Sequence, residues 1–160
     1  MSVNKYQPHV LVLPEDDANR ELANGFHLQV DWTRQPRMRV LPVAGGWNEV
    51  LERFKSQHVT EMDNYPERFM VLLIDFDGRA ESIDTARDAI PRHLANRVFV
   101  LGAWSEPEAL KAELGAYENI GFSMADDCRE ETDVTWGHKL LRHNASELER
   151  LRERVRSILF

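Results

Sequence analysis

Asp75 and Asp77 stand one residue apart at the end of the apolar run Phe69-Met70-Val71-Leu72-Leu73-Ile74 and are the residues of this chain best placed to do chemistry. A second acidic cluster, Glu15-Asp16-Asp17, ends the run from His9 to Pro14 in the same way. Short apolar runs bounded by turn residues read as buried strands of a parallel sheet. Open α/β sheets bind ligands just beyond the carboxyl ends of their strands, so the two clusters are expected to meet. Side chains alternate along a strand, which points Asp75 and Asp77 the same way and lets Glu15 face them if the strands are neighbours. Carboxylates a few ångströms apart repel, and they stay ionised at neutral pH only with a cation or basic group among them. Mg²⁺ or Mn²⁺, hard ions that prefer oxygen, is the expected cofactor. The plainer readings are that Asp75-Phe76-Asp77-Gly78 begins a turn and that Asp16 and Asp17 favour a helix N-terminus.

The elements that must position these acids alternate along the chain. A short helix is predicted from Asp17 to a C-cap at Asn24-Gly25. Residues 38–43 read as a second strand that stops at Ala44-Gly45-Gly46. Trp47, Val50, Leu51, Phe54 and His58 share one face of a helix to about residue 62. Residues 69–75 form the most hydrophobic strand, expected at the centre. A helix over about 82–90 and a strand over 98–102 follow. Capping boxes are predicted at Ser105 with Glu108 and at Ser146 with Glu149, and a helix over about 117–127 lies between them. Leu148, Leu151, Val155 and Ile158 form the apolar stripe of the last helix. Strands alternating with helices predict an α/β fold, a parallel Rossmann-like sheet of about four strands with helices on both faces and a C-terminal helical extension.

The 160 residues, 42% hydrophobic and 29% charged, suit one domain with one core. That domain is expected to have its core over about 9–115 and its helical extension over about 116–160. A net charge of -7 argues against a surface coated for nucleic acid. The charge is uneven, however. Residues 138–156 hold Lys139, Arg142, Arg150, Arg152, Arg154 and Arg156 against Glu147, Glu149 and Glu153, a net +3 that leaves -10 elsewhere. Arg150 and Arg154 are the candidate phosphate contacts, although a basic helix face is more often simply solvated. The single cysteine, Cys128, excludes an intramolecular disulfide, and the first residues lack a signal-peptide core, so a cytoplasmic protein without membrane contact is expected. Cys128, His138 and His143 match no standard zinc spacing.

In order and spacing, Val12-Leu13-Pro14-Glu15, Val43-Ala44-Gly45-Gly46 and Leu73-Ile74-Asp75-Phe76-Asp77 resemble a Toprim domain, the metal-binding fold of topoisomerases, bacterial primases and OLD-type nucleases. The resemblance covers about residues 9–115. It implies acid/base or metal-binding work for Glu15, Mg²⁺ held by Asp75 and Asp77, and cleavage of phosphodiester bonds. The family commonly has glycine after the glutamate where this chain has Asp16, and Asp16 with Asp17 would then add a second metal site, as in the OLD-type members. Those nucleases also use a basic residue near the C-terminus, for which Lys139 is the candidate. They are often joined to an ATPase, which implies nucleic acid as substrate and an ATPase subunit or a homodimer as partner.

A response-regulator receiver domain is resembled as well. Glu15-Asp16-Asp17 would be its paired acids, Asp75 its phosphate acceptor and Ser105 its hydroxyl residue. Where the receiver's Lys-Pro should follow a fifth strand, the chain has Ile120-Gly121-Phe122-Ser123. Leu73-Ile74-Asp75-Phe76-Asp77-Gly78 also matches the nucleophile motif of haloacid-dehalogenase-type phosphatases, but Arg79 follows where Thr or Val is usual, and the first acidic cluster is left without a role. A catalytically inactive Toprim-like scaffold for protein contacts is the non-enzymatic alternative.

Overall fold

The structure is a computed structural model that describes residues 3–160. Four strands, β1 (His9–Pro14), β2 (Met38–Val40), β3 (Arg68–Leu73) and β4 (Val98–Leu101), form one all-parallel sheet in the order β2-β1-β3-β4. Seven α-helices join them among the described residues: α1 (Asp17–Gln29), α2 (Trp47–Arg53), α3 (Val59–Asn64), α4 (Ala80–Asp88), α5 (Pro107–Leu114), α6 (Tyr117–Glu130) and α7 (Ala145–Leu159). The α/β architecture with helices on both faces is the one expected from the alternating pattern. None of the helices is long and apolar enough to cross a membrane.

Strand alternation divides the core in two. Val10, Val12, Val71, Leu73, Phe99 and Leu101 face α1, α5, α6 and α7, whereas Leu11, Leu13, Met70, Leu72, Val98 and Val100 face α2, α3 and α4. Both faces are apolar because both are covered, which is why each strand reads as a continuous hydrophobic run. Helices α6 and α7, which make up the C-terminal helical extension, pack into the first of these clusters.

Several boundaries differ from the sequence reading. Helix α1 runs on through Asn24-Gly25 to Gln29, because Gly25 is a crossing point and not a cap. A Cβ on Gly25 would sit 2.1 Å from the Glu118 carbonyl oxygen, and one on Gly121 would sit 2.1 Å from that of Leu22. The two glycines let α1 and α6 touch backbone to backbone. Gly121→Ala is therefore expected to lower stability by about 1–3 kcal/mol through forced separation of the helices, measurable by urea unfolding.

Strand β2 is regular only to Val40. The chain nevertheless stays beside β1, with Leu41 N–H donating to Val12, Ala44 to Pro14 and Gly45 to Glu15. Helices α2 and α3 are joined through a π-helical turn at Phe54–His58 into the single long segment expected there. Neither capping box forms. Helix α5 starts at Pro107 with no side-chain cap, and Ser146 lies inside α7, which begins at Ala145.

Residue Asn144, at the start of α7, has a different task. Its Oδ1 accepts the Gly102 N–H at 3.1 Å, and three residues on Glu147 Oε2 accepts the Val100 N–H at 3.1 Å. These are groups on the outer edge of β4, which an added strand would otherwise pair. The side chains of Asn144, just before α7, and of Glu147 within it thus close that edge of the sheet.

Candidate metal centre

Strands β1 and β3 are neighbours in register, with Pro14 opposite Leu73, so both acidic clusters emerge at the same carboxyl edge. Glu15 N–H still pairs with Leu73 O at 2.9 Å, and Glu15 Oε2 accepts the Asp75 N–H at 2.7 Å. Asp16 is the N-cap of α1, its Oδ1 accepting the Asn19 N–H at 3.0 Å. Carboxylate oxygens of Glu15, Asp16 and Asp75 lie within 4.8 Å of one another.

Asp75 is 7% exposed, and burial first, then the charges of Glu15 and Asp16, push its pKa up to about 8. Burial likewise raises Glu15, against the Asp75 N–H that lowers it. No cation is among the groups that bear on either acid. Other buried charges in the molecule are answered. Arg68, at the amino edge, donates to His9 Nε2 at 3.0 Å and meets Glu61 at 3.7 Å. Asp127 accepts from the Thr132 hydroxyl and from the N–H groups of Val134, Thr135 and Trp136, and these bonds hold it below the usual carboxylate range despite its burial. Asp75 has one side-chain partner, the Asn19 amide at 3.3 Å.

Asn19 is the residue the sequence reading missed. It is fully buried, and its Nδ2 donates both to Asp16 Oδ1 at 3.0 Å and to Asp75 Oδ1. Its Oδ1 has no partner. A buried amide with an orphaned oxygen, beside three carboxylates that lack a counter-charge, is a donor set suited to a hard divalent cation. The signal was the Asp16-x-x-Asn19 spacing, in which an N-cap and a polar residue one turn on share the helix end.

The other candidates are distributed less compactly. Asp77 lies outside the three-carboxylate group, because the chain turns at Asp77 (φ 52°) and leaves its side chain exposed. Its charge still raises Glu15 and Asp75. Of the candidate acids, the three whose oxygens converge are Glu15, Asp16 and Asp75. Asp17 is exposed and paired with Arg20 at 3.2 Å. Gly45 (φ 99°) and Gly46 make the turn beside Glu15, and a Cβ on Gly45 would meet nothing within 4 Å, so the centre is open on that side.

Lys139 pairs with Glu113 at 3.0 Å and is 64% exposed. Its neighbour Leu140 accepts the Trp104 N–H at 2.8 Å, which carries this segment alongside the end of β4. Arg150 is not a free phosphate contact. It spans both oxygens of Glu147 at 2.9 and 2.8 Å and reaches the Ala95 carbonyl, before the start of β4 and thus at the opposite edge from Glu15. Arg154 is exposed. Cys128 is buried and its thiol is pushed up to about 11, which leaves it inert.

Comparison of the chain with protein-family models, with curated proteins and with solved structures finds no match.

Proposed function

We propose that the protein is a divalent-cation-dependent phosphodiesterase of nuclease type, with Mg²⁺ or Mn²⁺ held by Glu15, Asp16 and Asp75. The observation that carries this reading is the convergence of three carboxylates beside Asn19, whose Oδ1 has no partner, with no positive group to answer them. A bound divalent cation would supply charge stabilisation on the phosphoryl oxygens. Asp75 is the rigid anchor, being buried on the strand axis. Asp16 is fixed by capping α1. Glu15, held through Oε2 by the Asp75 N–H, has Oε1 left to receive a proton from the attacking water. Lys139 would leave Glu113 to meet a phosphate. The phosphodiester is favoured by the Toprim-like order of Glu15, Gly45-Gly46 and Asp75-Phe76-Asp77, with the Gly-Gly turn hydrogen-bonded to Glu15. An ATPase subunit or a second copy of the chain is the proposed partner.

The second reading is a receiver-like domain phosphorylated on Asp75. It is favoured by the strand order, which matches the first four positions of the flavodoxin-like 2-1-3-4-5 arrangement. The closure of the β4 edge by Asn144 and Glu147 weighs against it, since no fifth strand can pair there.

Incubation with plasmid DNA and with RNA separates the two. Cleavage that requires Mn²⁺ and disappears in both Asp75→Asn and Asp16→Asn is expected. A stable phosphoryl adduct on Asp75 after exposure to acetyl phosphate, without cleavage of either polymer, would overturn the nuclease reading.

A further inference from the structure

The segment Trp32 to Arg39 holds three arginines and no carboxylate in a chain of net charge -7. It leads into β2, the sheet edge that α7 does not close. Trp32 is 83% exposed, the most solvent-accessible of the large aromatic rings. With His27, Gln35, Pro36 and Arg39 it lines a groove of about 420 Å³. Pro36, in the short 3₁₀ turn Gln35–Arg37, also lines a second hollow with Thr33 and Arg37. Arg34 fastens this turn to the last helix through the carbonyls of Ser157 and Phe160. Arg37 and Arg39 make no side-chain hydrogen bond or ion pair among the described residues, and Arg39 is exposed.

An exposed indole face beside unpaired guanidinium groups is the combination that holds single strands, with bases stacked on the ring and phosphates at the cations. Charged residues on an edge strand also discourage edge-to-edge pairing, but that role needs no tryptophan. A second copy of the chain is a poor occupant, because an isologous contact through this face would set arginine against arginine.

We propose that the Trp32 groove, with Arg37 and Arg39, binds single-stranded nucleic acid. From Arg39 the chain runs beside β1, with Leu41 on Val12, Ala44 on Pro14 and Gly45 on Glu15. That path is at most about 20 Å long at the rise of an extended strand. A strand that leaves the groove at Arg39 therefore has about that distance to cover to the carboxylate centre. As a route for substrate this rests on the phosphodiesterase reading, whereas as a binding surface it stands without it. The acidic centre repels a polyanion, so an attachment point away from it is what such a substrate needs.

The test uses the full chain carrying Asp75→Asn, in EDTA, with fluorescein-labelled oligothymidylate followed by anisotropy over a range of salt. Binding is expected. Trp32→Ala should weaken it at least about fivefold. Arg37→Ala with Arg39→Ala should weaken it and flatten the salt slope by about one per arginine, while Arg150→Ala changes neither. These side chains lie at the surface, and unchanged circular dichroism melting confirms that the variants fold. Absence of binding, or binding indifferent to Trp32→Ala, overturns the proposal. Tighter binding of a polyglutamate peptide of equal charge also overturns it and makes the face a dock for an acidic protein segment. Because no cation or intact centre is used, failure of cleavage leaves this result untouched.

Discussion

Replacing Asp75 with asparagine is expected to raise the melting temperature of the cation-free protein at pH 8 by roughly 5–15 °C. The folded pKa of Asp75, about 8, lies well above the 3.8 of an unperturbed aspartate. Between about pH 4 and pH 8 the native state keeps a proton that the unfolded chain has lost, so stability falls as pH rises through this window. By pH 8 most of the penalty is present, on the order of 3–6 kcal/mol. Asparagine keeps an oxygen for the Asn19 amide and carries no charge, so it removes the penalty. At pH 4 the variant and the parent should melt within a few degrees of each other. A variant less stable than the parent at pH 8 would show that Asp75 is already neutralised by a partner in the native protein.

Millimolar Mg²⁺ or Mn²⁺ is expected to reverse the same penalty in the parent protein. A ligand present at a hundred to a thousand times its dissociation constant stabilises by about 2.7–4.1 kcal/mol. Differential scanning fluorimetry should therefore show a gain of several degrees that Asp75→Asn abolishes. The informative comparison is between Asp16 and Asp77. Asp16→Asn retains an N-cap for α1, since asparagine caps as well as aspartate, yet it removes one of the three converging carboxylates. It should lose most of the cation-induced gain, whereas Asp77→Asn, outside that group, should keep most of it.

That comparison also marks where the sequence was legible. The continuous apolar runs at 9–14 and 69–74 announced two buried strands, and their terminal acids announced a shared edge, because a parallel sheet puts all strand ends on one side. Period-two reasoning carried Asp77 along with Asp75, and the alternation holds as far as Phe76, which joins Leu72 and Ile74 in one core and pairs its N–H with Ala103 O. Asp77 then turns with a positive φ and its side chain is exposed. Asp16 took its place through helix capping, a local effect that fixes its carboxylate over the end of α1. Asn19 was hidden for a similar reason, since a polar residue in a first turn reads as solvent-facing until a neighbouring strand covers it.

The role of α7 was legible only in part. Its apolar stripe was plain, but Glu147 and the preceding Asn144 read as ordinary surface and cap residues. They serve the outer edge of β4, an assignment that depends on a contact more than forty residues away in sequence. Arg150 followed Glu147 into that contact and so left the phosphate-binding role expected of it. The arginines at 37 and 39 carry no periodic pattern and do not stand out in the sequence beside the denser tail.

The most direct measurement is an anomalous difference map from a crystal of the parent protein soaked in Mn²⁺. The account predicts one strong peak bounded by the carboxylates of Glu15, Asp16 and Asp75, with metal–oxygen distances of about 2.0–2.3 Å. A map with no peak there at millimolar Mn²⁺, or a peak held by Asp77 and Asp17 with Asp16 still bonded to Asn19, would contradict it.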